Sequence, residues 1–158
     1  PIDTIVAAII GPALERLRLT FPLVGAYLDY WRRHPAFARD WNAWVEDAYT
    51  YDLEGDPPSL RSGVREEAVL ADAETQLVAD DVARALDALR HPAVLLRAPA
   101  GIMGEPPGLY ADDWIASWLQ RVPALRDVLV PDVNHYTILF SEHGAAAVAA
   151  IVRQELGA

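Results

Sequence analysis

Nucleophilic or acid–base chemistry in this 158-residue chain has few side chains to draw on. There are four histidines, four serines and no cysteine, beside 23 carboxylates and 13 cationic residues, all of them arginine. The serines, Ser59, Ser62, Ser117 and Ser141, all lie outside a G-x-S-x-G elbow, so the chain carries no recognisable activated hydroxyl. His135 occupies the most suggestive position. In "VLVPDVNHYTILFSEHG" it follows Pro131, which closes an apolar β-type run, by four residues and stands just before the final helix. That is an active-site address, because ligands and catalytic groups of open parallel sheets sit beyond the carboxyl ends of the strands.

The other histidines have sufficient structural reasons. His34 and His91 each precede a proline at an element boundary, and His143 opens a helix. None of the four has cysteine or carboxylate support at ligand spacing, so no metal site and no cofactor are expected. The glycines form neither a dinucleotide fingerprint nor a phosphate loop.

The elements that must position His135 are marked by proline and glycine. In "GPALERLRL", Pro12 suits a first helical turn. Tyr27, Tyr30, Trp31 and His34 share one helical face that ends before Pro35, and Phe37, Trp41, Trp44, Val45 and Ala48 continue the spacing in a second helix. "YDLEGDPPSLRSG" reads as a loop, and helices follow around 64–71 and after Asp80 as N-cap. Residues 1–90 thus read as helical throughout.

The pattern changes after residue 90. Ala93 to Leu96 form an apolar run too short for a helix, closed by Pro99 and Gly101, and read as a buried strand. A helix capped by Asp112 or Asp113 carries Trp114, Ile115, Trp118 and Leu119. "LRDVLVP" is a second strand, and a last helix presents Val148, Ile151, Val152 and Leu156 before Gly157. Strand, helix, strand, helix predicts a right-handed parallel crossover. Two parallel strands make an incomplete sheet.

Composition excludes several classes. A net charge of −10 and a pI near 4.7 argue against phosphate backbones and anionic lipid as partners. No apolar run reaches a membrane span, no signal-peptide flank opens the chain, and the lack of cysteine suits a reducing cytoplasm. A hydrophobic content of 53% is that of a folded chain.

"PDVNHYT", with "HPAVLLRAPAG", "FPLVGAYLDYWRRHPAF" and the terminal "HGAAAVAAIVRQEL", resembles the C-terminal portion of α/β-hydrolase-fold enzymes, in particular actinobacterial-type hydrolases with a helical cap. The resemblance spans nearly the whole chain. It implies a cap or lid over residues 1–90, the C-terminal part of the α/β core over 91–158, and His135 as the base of a Ser, acid, His triad. The catalytic acid implied after the first strand falls in "APAGIMGEPPG", where the only carboxylate is Glu105, and Gly101 stands where an Asp is usual. An acid upstream of the cap is the rival, and Asp132 a weaker candidate with a turn-forming role of its own.

Cap helices of this architecture cover the catalytic centre. The resemblance therefore nominates Tyr27, Tyr30, Trp31 and Tyr136 as possible pocket-lining residues for a small ester-like substrate. The nucleophile must come from an N-terminal segment of the same hydrolase, so the chain by itself is expected to be inactive. The alternative is a noncatalytic hydrolase-like module that binds a small apolar ligand or a protein partner.

Overall fold

A computed structural model describes residues 14–77 and 80–157. Packing divides these into two units. The first comprises the described residues within Pro1–Asp29 and Asp47–Ala88, the second those within Tyr30–Glu46 and Leu89–Ala158. The segment Tyr30–Glu46, which the sequence assigns to the helical region, packs with the strand-bearing unit. Two side chains show why: Asn42 Nδ2 donates to Phe140 O at 2.7 Å, and Asn134 Nδ2 donates to Ala36 O at 2.7 Å.

The expected turn at Pro12 lies outside the described residues, although 14–17 are helical. Helix α1 is Val24–Arg32 and α2 is Ala43–Tyr51. The aromatic spacing does not run on as one helix after Pro35. A 3-10 turn, Pro35–Phe37, intervenes, and Trp41 lies in the loop before α2. Proline cannot donate the backbone hydrogen bond that a continuing helix needs.

"YDLEGDPPSLRSG" closes a short hairpin rather than an unstructured loop, so the first unit is not wholly helical. Strands β1, Leu53–Glu54, and β2, Arg61–Ser62, pair antiparallel. Its core is built on Tyr27, which is fully buried. The phenol donates to Asp52 Oδ2 at 2.6 Å, Ser62 Oγ donates to the same oxygen at 2.7 Å, and Phe21 packs edge-on against the ring at 4.9 Å. Helices α3, Glu66–Leu77, and α4, Asp81–Asp87, complete the unit. Asp80 is the N-cap of α4 by position, without a side-chain capping hydrogen bond.

In the second unit the order is strand β3, Ala93–Arg97, helix α5, Asp112–Arg121, strand β4, Leu125–Leu129, the single turn α6, Thr137–Phe140, and helix α7, Glu142–Leu156. Strands β3 and β4 pair parallel, from Ala93 opposite Leu125 to Arg97 opposite Leu129. Ile115 and Trp118 are the buried face of α5. Its N-cap is Ala111 rather than an aspartate, while Asp113 Oδ1 accepts from the Trp114 N–H at 2.8 Å. Gly157, with φ of 69°, ends α7 in the left-handed region that glycine reaches without steric cost.

A clamp holds the pair of strands. The Arg97 guanidinium grips both oxygens of Asp127 at 2.7 and 2.9 Å, and a third nitrogen reaches Asp112 at 3.0 Å. These bonds hold the guanidinium protonated well beyond its ordinary range, because both carboxylates bond and attract the charged form more strongly than the neutral one.

The strands are less covered than an apolar run predicts. Every residue of β3 is only half-buried, and on α7 Val152 and Leu156 are exposed. Among the described residues no helix is long and apolar enough to cross a membrane.

Candidate active site

The carboxyl ends of β3 and β4 are drawn together beyond the strands themselves. Val130 N–H donates to Arg97 O at 2.8 Å, and an isolated parallel bridge joins Ala100 to Asn134. The chain leaves β4 through Asp132, whose φ of 58° is left-handed. Aspartate and asparagine enter this region more readily than other side-chain-bearing residues. The carbonyl before it, Pro131 O, accepts from His143 Nε2 at 3.1 Å, so that ring carries its proton on Nε2.

Asn134 then sets the turn that presents His135. Its Oδ1 accepts from the N–H groups of Tyr136 and Thr137, both at 3.0 Å. In return Thr137 Oγ1 accepts from Asn134 N–H at 2.8 Å, a reciprocal cap on α6. With Nδ2 donated to Ala36 O, the Asn134 amide is committed to holding the backbone. Ser141 repeats the device one turn on, accepting from Gly144 N–H at 3.0 Å and donating to Thr137 O at 2.7 Å. Gly144 is required there, since a Cβ would come within 2.4 Å of Thr137 O.

Between the buried anchors Asn134 and Thr137, His135 is thrust outward and is exposed. Its ring lies edge-on against Tyr136 at 4.9 Å. Partial desolvation lowers its pKa below that of a free imidazole. Among the described residues the ring has no hydrogen bond or ion pair.

Among the described residues no hydrogen bond or ion pair joins Glu105 to it. The carboxylate is exposed, while the Glu105 carbonyl accepts from Gly101 N–H at 3.0 Å and closes its own loop. Gly101 is buried, and Gly104, with φ of 80°, lies so near the chain at Ala36 that a Cβ would approach Ala36 Cα to 3.0 Å.

The nominated aromatic residues separate. Tyr27 is fully buried in the first unit, its hydroxyl committed to Asp52, and presents no surface to a ligand. Trp31 is nearly buried in the second unit and Tyr30 half-buried beside it, with ring centroids 6.1 Å apart. Tyr136 joins Trp31 at 6.3 Å, His34 at 5.7 Å and Phe37 at 5.2 Å in an aromatic cluster behind the histidine turn. His34 caps the 3-10 turn through Nδ1, which accepts from Ala36 N–H at 3.3 Å, and burial lowers its pKa as well.

Beside the turn lies a cleft of 220 Å³ whose lining includes Pro35, Arg39, Asp40, Pro99, Asp132 and Asn134. His135 neighbours this lining in sequence without belonging to it. Sequence reasoning did not find the cleft or the role of Asn134. The Asn-x-x-Thr spacing of a reciprocal cap is the signal that could have found the latter. Among the described residues no group of three or more His, Asp or Glu side chains converges as a metal site.

No protein-family model matches the chain, and no curated protein matches it. A solved structure does, the crystal structure of E-2-(acetamidomethylene)succinate hydrolase, with a TM-score of 0.70 over 99% of this chain. The fold is that of the α/β-hydrolases. Sequence identity to that structure is 18%, so the likeness shows the fold alone, and the chain spans about half of the neighbour, 52% of its length, corresponding to a C-terminal portion. The turn that carries His135 lies beyond the carboxyl end of β4, where ligands of open parallel sheets sit.

Proposed function

We propose that this chain supplies the catalytic base of an α/β-fold serine hydrolase acting on ester-type substrates, with the nucleophile carried on a segment N-terminal to it. The single observation that carries the reading is the presentation of His135. The imidazole is exposed at the carboxyl end of a parallel strand, on a turn latched by Asn134 and Thr137, and partial desolvation lowers its pKa. Such a group takes the proton of an attacking serine and returns it to the leaving alcohol. The half-covered faces of β3 agree with a sheet that continues into the strands bearing the nucleophile.

A base of this kind needs a carboxylate to fix its tautomer and stabilise the imidazolium. Glu105 is not engaged with the ring, which favours an acid delivered, like the nucleophile, by the upstream strands.

The test uses the full-length protein. It should hydrolyse short-chain aryl esters and react with a serine-directed phosphonate, and His135→Ala should slow turnover by a factor on the order of 10³ or more. Turnover that survives this substitution within a few-fold would sink the reading. An intact protein that neither turns over esters nor takes up the phosphonate would point to the noncatalytic module instead.

A further inference from the structure

Among the described residues no hydrogen bond fixes the His135 ring, so its place depends on the backbone that carries it. That backbone leads into α6, a single helical turn, and one turn is marginal without tertiary support. A short segment supplies the support at both ends. Before the histidine, Ala36 O accepts from Asn134 Nδ2 at 2.7 Å; after it, Phe140 O accepts from Asn42 Nδ2, also at 2.7 Å. Between these two bonds the buried Phe37 ring packs 5.2 Å from the ring of Tyr136, the residue next to His135. The segment is itself held by short-range bonds: Ala36 N–H donates to His34 Nδ1 at 3.3 Å, Ala38 N–H to Pro35 O at 3.2 Å and Asp40 N–H to Phe37 O at 3.3 Å.

Helix capping does not account for the second of these bonds. Asn42 Oδ1 accepts from Trp44 N–H at 2.9 Å and from Val45 N–H at 3.2 Å, at the N-terminus of α2. Aspartate or serine would cap that helix as well, since capping needs only an acceptor. The donor is what asparagine adds, and Nδ2 is spent on Phe140 O and, at 3.2 Å, on Asp40 O. From this arrangement we infer that Asn42 is a positioning residue for the general base: acting through the Phe140 carbonyl, it braces the far end of the His135 turn while Ala36 holds the near end. The inference rests on the hydrolase reading of His135 and assigns to the same site a residue that acts through the backbone rather than on the imidazole. A base must lie within hydrogen-bond reach of the hydroxyl it deprotonates, and a displacement of about 1 Å costs on the order of a hundredfold in rate.

The experiment measures aryl-ester hydrolysis by the full-length protein and by its Asn42→Ser and Asn42→Asp variants, with active sites counted by a serine-directed phosphonate reacted to completion. Both substitutions keep an acceptor for α2 and remove the donor, the first without adding charge. Per titrated site, each should lower kcat by about tenfold to a hundredfold and leave KM within about twofold. A merely structural role predicts fewer titrated sites with kcat per site unchanged. Hydrogen exchange read by NMR gives a second measurement. In Asn42→Ser the Ile138 and Phe140 amides, which donate to Asn134 O and Tyr136 O, should exchange about tenfold faster, with the Ile115 and Val122 amides unchanged. Wild-type exchange at Ile138 and Phe140, or an unchanged kcat per site in an enzyme that His135→Ala disables, overturns the brace and leaves the hydrolase reading standing. No ester turnover and no phosphonate uptake by the unaltered protein sinks the hydrolase reading and the catalytic role of Asn42 with it, while faster exchange in Asn42→Ser would still identify the tie to Phe140.

Discussion

Replacing Asn134 by alanine removes three hydrogen bonds at once. The capping part is the acceptance by Oδ1 from Tyr136 and Thr137 N–H, each at 3.0 Å, whose loss costs about 1 kcal/mol. The latching part is the donation to Ala36 O at 2.7 Å. Both ends of that bond are buried, so its removal strands a carbonyl at a cost of about 1–3 kcal/mol. Together these give roughly 2–4 kcal/mol, a large share of the ~5–15 kcal/mol by which domains are stable. Asn134→Asp separates the two parts. The aspartate keeps the capping acceptors but sets an anionic oxygen against the Ala36 carbonyl, so near pH 7 it should be no more stable than the alanine variant. Urea unfolding followed by the fluorescence of the five tryptophans reads the difference, expected as a midpoint shift of about 1–2 M for a slope near 2 kcal/mol/M. An aspartate variant with wild-type stability would refute the latch, and an alanine variant within about 0.5 kcal/mol of wild type would refute both parts.

Three further outcomes are expected. Arg97→Met should destabilise the protein by about 2–4 kcal/mol, since it leaves the largely buried Asp127 carboxylate without its bidentate partner; calorimetry showing a change below about 1 kcal/mol would remove the clamp from the account. Gly144→Ala should cost about 2 kcal/mol or more because its Cβ meets the carbonyls of Thr137 and Ile138, whereas Gly25→Ala in helix α1, with nothing within 4 Å, should be stabilising by about 0.5–1 kcal/mol; thermal melts of the pair showing the reverse order would contradict the geometry. Burial depresses the pKa of His34 below the ordinary 6.5, so protons bind the unfolded chain more readily; its contribution to stability is fully present above that value and is lost as pH falls through it toward the folded value. His34→Gln should therefore flatten the loss of stability between pH 7 and 5, and unfolding curves with the same pH slope in both proteins would count against it.

The parts of this protein legible in its sequence are those governed by neighbours along the chain. Ala93 to Leu96 and the LRDVLVP segment became paired parallel strands because short apolar runs closed by proline have few other folded uses. Helix α7 ends at Gly157 because only glycine takes the left-handed cap without cost. The placement of His135 beyond β4 follows from the same local punctuation. Tertiary structure decided the rest. Tyr27 and Trp31 are one helical turn apart and look alike in sequence, yet one is spent on Asp52 in the first unit and the other joins Tyr136 in the second. Asn134 reaches Ala36 across 98 positions, and Glu105, the only carboxylate in its stretch, is exposed and makes no hydrogen bond with the imidazole it was nominated to serve. Periodicity reports which side of an element is apolar. It carries no information about which distant backbone carbonyl will need a donor, because that demand arises only when the segments meet.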